Sequence, residues 1–224
     1  MSPSIPLIDI NKTKTILVID PSASHLAYCL ADLNKEKNEL QIFYVGMLWT
    51  KSKWKRGLRF YYVQKCVYHL LNSLKDALPS AVYVEGFFAN PKQMFGSAVI
   101  PTINGLIECL TVPYKVAYFE IPPPTWRSNL GIKPIKNSIG KRDYKVPTKA
   151  YVESILGKLP DEIPSNSNDK MRTTPSDIAD VLAITIAIGK HHGLDKARLW
   201  GSTFYPKSAL ELFKKEFIEV SEYE

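Results

Sequence analysis

Thr174-Pro175-Ser176-Asp177-Ile178-Ala179-Asp180-Val181-Leu182-Ala183-Ile184 reads as the opening turns of a helix around which the rest of the chain must be built. Thr174 fits the N-cap, Pro175 suits the first helical position, and the apolar run through Val181, Leu182, Ile184 and Ile188 would fasten the helix to something larger. Asp177 and Asp180 are three residues apart, so both carboxylates leave one face near the positive end of the helix dipole. Acids in a first turn also cap helices with no chemistry attached, and Asp177 stands where a capping-box acid would stand. Two carboxylates held together over a buried helix face repel unless a proton or a cation lies between them. A divalent metal is the economical answer.

Outward from that helix, Thr15-Ile16-Leu17-Val18-Ile19 is a β-branched run ending at Asp20, the pattern of a strand buried on both faces. His25 to Ala31 and Leu40 to Leu48 read as two further strands joined around Asn34–Asn38, which makes an antiparallel meander. A helix of 3–4 spacing follows over Leu58 to Leu78. Ala81-Val82-Tyr83-Val84 is a strand that also ends on an acid, Glu85. Met94 to Leu110 predicts a helix that Pro101 should kink, and Tyr114 to Ile121 a fifth strand. Thr125 could cap a short helix stopped by Gly131, Pro147 to Leu156 predicts another, and 157–173 is a polar loop. His191 and His192 would complement the dipole at the end of the organising helix. The order predicts an α/β fold with a mixed five-stranded sheet, three antiparallel strands and then parallel ones, flanked by helices. Residues 1–13 form a loose arm, 14–192 the main domain, and 193–224 a helical extension centred on Lys207 to Val220.

With 224 residues and 45% hydrophobic content the chain suffices for one domain with a real core. Cys29, Cys66 and Cys109 form no C-x-x-C, so neither a zinc site nor a disulfide framework is expected. No secretory signal and no membrane span is evident, which predicts a protein that is not secreted, cytoplasmic or associated with the nucleoid. Lys plus Arg number 29 against 22 for Asp plus Glu, a net +7, and a polyanionic partner fits that excess. The bases are not evenly spread. No acid occurs from Gln41 to Lys75, where Lys53, Lys55 and Arg56 lie among Trp49, Trp54, Phe60 and Tyr61, a pattern that can bind phosphates and stack on bases. The same residues could equally staple a helix to the sheet. A second basic stretch, Lys133 to Lys145, has Asp143 as its lone acid.

Sites in such sheets form at the carboxyl ends of central parallel strands. Asp20 and Glu85 end two strands in matching positions, and the Asp177/Asp180 helix can close over them. Four carboxylates make a hard oxygen-rich site suited to Mg²⁺ or Mn²⁺. Two such ions about 3.5–4 Å apart can activate a water and stabilise the leaving oxygen of a phosphodiester.

Ile16-Leu17-Val18-Ile19-Asp20-Pro21, Val84-Glu85-Gly86-Phe87-Phe88, Lys149-Ala150-Tyr151-Val152 and Asp177-Ile178-Ala179-Asp180-Val181-Leu182-Ala183-Ile184 together resemble the successive motifs of the RuvC-type Holliday junction resolvases, in order and in spacing. The resemblance spans about Thr15 to His191. It implies an RNase H-like fold, a homodimer acting in DNA recombination and repair, and paired nicking of four-way DNA junctions that leaves 5′-phosphate and 3′-hydroxyl ends. It also implies two Mg²⁺ per site, with Mn²⁺ able to substitute. Carried over by motif, Asp20, Glu85, Asp177 and Asp180 are the metal ligands, and Lys149 approaches the scissile phosphate. Phe88 falls where an aromatic wedges against junction bases, Arg127 near a phosphate contact, and Met94 to Leu110 where the family dimerises. Lys133, in the second basic stretch, joins Lys53, Lys55 and Arg56 as a candidate DNA contact.

Three features depart from the pattern: Ser22 replaces the glycine usual after Asp-Pro, the Gly131–Lys149 interval is long, and the carboxyl-terminal extension has no counterpart. They resemble a divergent, phage-encoded relative. Two other readings use the same residues, a broader nuclease of forks, flaps and D-loops, and a non-catalytic binder of branched DNA. An actin-like ATP-binding protein fits poorly, because Asp20-Pro21-Ser22-Ala23-Ser24 lacks the glycine that close phosphate approach requires.

Overall fold

Alternating apolar side chains along one central strand divide the molecule into two layers. The computed structural model describes residues 4–10, 13–22, 25–50, 55–74, 77–87, 99–164, 171–173 and 176–200. Strand β1 (Thr13–Pro21) sends Ile16 and Val18 into one core and Leu17 and Ile19 into another, all of them fully buried. It lies between β2 (His25–Asn34), antiparallel, and β4 (Ala81–Glu85), parallel. β3 (Glu39–Trp49) completes the meander, and β5 (Ala117–Ile121) adds a further parallel strand beyond β4. Register between β2 and β3 steps from Leu30↔Tyr44 to Ala31↔Ile42, a bulge that leaves Phe43 unopposed and reverses the facing of β3.

The sheet has six strands, not five. β10 (Lys196–Leu199) pairs parallel with β3, giving the order β10-β3-β2-β1-β4-β5. Its four residues alternate exposed and half-buried, too short a pattern to stand out from the basic tail around it. The segment 193–199 therefore belongs with the main sheet. The expected Lys207–Val220 helix lies outside the described residues. The amino-terminal arm is also held: Ile5 is buried in the core, and the Tyr83 hydroxyl donates to the Pro6 carbonyl at 3.0 Å.

One face of the sheet is covered by α1 (Arg56–Ser73) and α2 (Val99–Thr111), through Val63, Val67, Leu71, Ile103 and Ile107. The other carries α3 (Pro123–Leu130), α4 (Lys145–Leu156) and α5 (Ser176–His191). Within the described residues α2 runs from Val99 to Thr111 and includes Pro101. The expected start at Met94 lies outside the described residues. A 3₁₀ turn over Val112–Tyr114, ended by Lys115 at φ 56°, delays β5 to Ala117. Helix α3 opens on Pro122 at its N-cap with Pro123 and Pro124 inside. Thr125 is therefore a buried residue of the helix instead of its cap. The polar 157–173 segment contains a short ladder, β8 (Glu162–Pro164) on β9 (Met171–Thr173), and an antiparallel hairpin, β6 (Ile135–Lys136) on β7 (Arg142–Asp143), fills the long interval before α4. Among the described residues, no helix is long and apolar enough to cross a membrane.

Helix α5 is the rod of the structure. Its residues from Val181 to Gly189 are all buried, against β1, β2 and β3 and beside α3 and α4. At Gly189 a Cβ would meet the Leu40 side chain at 3.1 Å, so glycine lets the last turn close on β3. Gly193, at φ 73°, follows the helix. The His192 ring is buried with no partner for Nε2 among the described residues, and burial lowers its pKa to about 4. It is neutral at pH 7 and cannot complement the dipole by charge, contrary to the sequence expectation.

Candidate active site

The period of two that divides the cores also aims the acids. Asp20 continues the Ile16, Val18 face of β1, and Glu85 continues the Ala81, Tyr83 face of β4, so both look toward α5. The β1–β4 register runs to Ile19↔Val84, which leaves Asp20 and Glu85 side by side at the carboxyl ends of two parallel strands. Asp177 and Asp180 project from the first turns of α5 over the same edge. Asp20, Asp177 and Asp180 each bring a carboxylate oxygen within 4.8 Å of the other two. Glu85 flanks this triad, hydrogen-bonded to Asp20.

Electrostatics make this an unhappy group without a counter-charge. Two full charges at 4.8 Å repel by roughly 3–4 kcal/mol at an effective dielectric near 20. Burial, followed by the charges of Glu85, Asp180 and Asp177, holds the Asp20 carboxyl well above the usual range. Burial raises Asp180 to about 7, with Glu85 adding to the rise and Arg127 opposing it. Glu85 is raised by burial, against hydrogen bonds from Trp126 and Asp20 and the charge of Arg127. Asp177 differs. Burial pushes it up, but its bond to His25, the His25 charge, Lys145 and Ser176 together bring it below the ordinary value. Protons can satisfy three of these acids, and so can divalent cations bound by hard oxygen donors. The donor set therefore fits Mg²⁺ or Mn²⁺.

Several neighbours escaped the sequence reading. The His25 Nε2 contacts the Asp177 carboxylate. The clue was present, because His25 shares the parity of Ala27, Cys29 and Ala31, all on the α5 side of β2. The set around the acids is thus not free of histidine. Trp126, fully buried in α3, donates its indole N–H to Glu85 Oε1 at 3.0 Å. Lys145 donates to the Ser176 hydroxyl at 2.8 Å and holds its ammonium 4.0 Å from Asp177 Oδ1.

Of the expected DNA contacts, Arg127 lies closest to the acids. Its guanidinium is held between the Trp126 and Tyr144 rings, at 4.7 and 4.6 Å, and stands 4.0 Å from Glu85 Oε1. Lys149 lies one turn beyond Lys145 on α4, with its ammonium 3.8 Å from Glu153. The two lysines line one open groove of about 440 Å³ that reaches Ser176 and Ala179. Lys133 is exposed on the segment after α3. Lys55 and Arg56 open α1 on the opposite face of the sheet, exposed and away from the acids. Lys53 and Phe88 lie outside the described residues.

No protein-family model matches the sequence, nor does any curated protein. Solved structures do match. RuvC of Thermus thermophilus in complex with a Holliday junction substrate superposes with a TM-score of 0.55 at 18% identity, over 82% of this chain and 98% of that one. A second structure of Thermus thermophilus RuvC gives 0.54 at 19% identity, over 81% and 98%. The yeast mitochondrial Holliday junction resolvase gives 0.48 at 14% identity, over 96% and 87%. At such identities the likeness is one of fold, and the fold is RNase H-like, as RuvC has it.

Proposed function

We propose that this chain, built on the RuvC fold, is a divalent-metal-dependent endonuclease that resolves four-way DNA junctions by paired hydrolysis, leaving 5′-phosphate and 3′-hydroxyl ends. The observation that carries the reading is the convergence of Asp20, Glu85, Asp177 and Asp180, from three separate elements, on one edge of the sheet. A structure gains nothing in stability from such mutual repulsion, and a cation-binding role accounts for it.

Asp20, Asp177 and Asp180 would hold one ion, and Glu85 with Asp20 a second. Bound divalent ions supply an activated water and charge for the departing 3′ oxygen. The chain's own residues do the positioning. Trp126 and Arg127 both address Oε1 of Glu85, which fixes that carboxylate's rotamer beside Asp20. His25 orients Asp177 in the same manner. Lys145 and Arg127, with Lys149 farther along the groove, lie where a phosphodiester drawn to the ions would pass, and the two nearer cations can offset charge developing on the phosphoryl oxygens. Cutting of opposing strands requires two sites, so we propose a homodimer interface over Met94 to Leu110, the stretch that the resemblance marks.

End-labelled four-way junctions, forks, flaps, D-loops and linear duplex, incubated with Mg²⁺ or a chelator, test the reading. Symmetric nicks in the junction, lost with chelator and with Asp177→Asn, are expected. Equal cutting of every branched form indicates the broader nuclease. Tight binding without metal-dependent cutting leaves a binding protein and removes the catalytic assignment.

A further inference from the structure

Between α3 and α4 a basic hairpin grows from the rim of the acid cluster and ends in an exposed isoleucine. In it Ile135 lies opposite Asp143 and Lys136 opposite Arg142. Asn137 closes the turn: its Oδ1 accepts the N–H of Ile139 at 3.1 Å and of Lys141 at 2.9 Å, and its own N–H donates to the Lys141 carbonyl at 2.9 Å. Gly140 donates to the Asn137 carbonyl at 2.9 Å and takes φ 73°, a conformation a side chain would strain. The tip is therefore built. It presents Ile139 at 71% exposure, the most exposed large apolar side chain among the described residues.

A single exposed isoleucine needs no explanation by itself. Its frame does. Lys136, Lys141 and Arg142 lie on the same hairpin and Lys133 just before it, all exposed, and among the described residues none of the four has a carboxylate partner. The one acid of the hairpin, Asp143, is spent internally, its Oδ1 accepting the Lys145 N–H at 2.8 Å. The base of the hairpin is tied to the site on both sides. Tyr144 stacks on the Arg127 guanidinium beside Glu85, and Lys145 reaches Asp177. Tyr144 is the fifth residue after Ile139, so the tip stands at most about 18 Å from it along the chain, or about five base steps at roughly 3.4 Å each.

We propose, resting on the nuclease reading above, that this hairpin is a DNA-entering wedge. Ile139 inserts between base steps in the arm beside the cleaved phosphate, and Lys136, Lys141 and Arg142 hold the flanking phosphates. Apolar side chains on a cationic support are the means by which proteins unstack and kink a duplex. A protein partner would need acids to meet this surface, whereas DNA offers negative charge on both sides of an apolar base stack.

Four-way junctions carrying 2-aminopurine at successive positions near the cut site read the wedge directly, in an Asp180→Asn background so that cleavage does not blur the signal. A several-fold rise in fluorescence is expected at one position, abolished by Ile139→Ser with the salt dependence of binding unchanged. Lys136→Ala with Lys141→Ala should lower the slope of log K against log salt by about 2, one for each phosphate contact. Junction binding with an unchanged fluorescence pattern in Ile139→Ser overturns the wedge alone and leaves the nuclease standing. Failure of the parent protein to bind or cut branched DNA overturns the nuclease reading, and the wedge with it.

Discussion

The two ends of α5 share one helix and obey opposite rules. At the amino end Asp177 and Asp180 stand with Asp20 in a buried group of like charge, which is costly to assemble. At the carboxyl end Gly189 presses on Leu40 and a neutral His192 is buried behind it, an arrangement that serves packing alone. The middle, apolar except for Thr185, holds the two in register on the sheet. Removing a side chain at one end should relax the protein and end its chemistry. Adding one at the other should strain the protein and spare its chemistry.

The largest effect belongs to the amino end. Asp180→Asn is expected to reduce junction cleavage by about 10³-fold or more, at or above the range for deleting one stabiliser of transition-state charge. It should also raise the melting temperature of the metal-free protein, because a buried charge is lost and its repulsion of Asp20 and Glu85 goes with it. A variant that melts lower in chelator would show that the acids support the fold instead of straining it. At the other end, Gly189→Val should cost about 1–3 kcal/mol, since its side chain must enter space held by Leu40. Thermal melting measures that loss, and cleavage per folded molecule should stay at the wild-type level. A fall in cleavage beyond the loss of folded protein would mean the helix transmits strain between its ends.

The pH dependence sharpens the same contrast. In chelator, Asp180 titrates near 7 folded and near 3.8 unfolded, so its contribution is favourable below about 4 and is lost as pH rises toward 7. Asp20 and Glu85, raised for the same reason, act in the same direction. His192 acts in the other. Its folded value of about 4 lies below the 6.5 of a free imidazole, so the stability of its neutral form is lost as pH falls between those values. Melting temperatures of the metal-free protein should therefore decline from pH 4.5 to 7.5. Asp180→Asn should flatten the decline, His192→Gln should steepen it, and saturating Mg²⁺ should reverse it by taking the place of the protons. A decline unchanged by Mg²⁺ would argue against a cation at the acids.

These ends were not equally legible in the sequence. The acids were, because each ends an apolar run whose period states its direction: Asp20 after Ile16-Leu17-Val18-Ile19, Glu85 after Val82-Tyr83-Val84, and the aspartate pair one turn apart. What escaped depends on contacts made across the chain. His25 reaches Asp177 only because the β1–β2 register places the start of β2 beyond Pro21, and Trp126 reaches Glu85 only because α3 folds under β4. β10 escaped for a different reason: four alternating residues in a basic tail carry too little pattern to separate a strand from a loop. The role of His192 was misjudged because a histidine near a helix end suggests the dipole, and burial, which decides its charge, is not written in local sequence.

The smallest effect separates two lysines one turn apart. The RuvC resemblance directs attention to Lys149, yet the ammonium that stands 4.0 Å from Asp177 belongs to Lys145, and that of Lys149 lies 3.8 Å from Glu153. Both are half-exposed or more, so neither ion pair contributes much, and either loss should cost binding well under tenfold. Their effects on chemistry should differ. Lys145→Ala removes one of the cations that, after His25, hold Asp177 below its ordinary value, so the acid limb of the pH–rate profile should move to higher pH, with cleavage falling several-fold on that limb and recovering above it. Lys149→Ala should lower the rate by a similar or smaller factor that does not change with pH, since Glu153 is not among the site's acids. Single-turnover rates on and above that limb, measured on one junction, decide between them. A pH-dependent defect in Lys149→Ala, with none in Lys145→Ala, would mean that bound DNA turns the Lys149 side chain from Glu153 toward the acids and that the resemblance had chosen the right lysine.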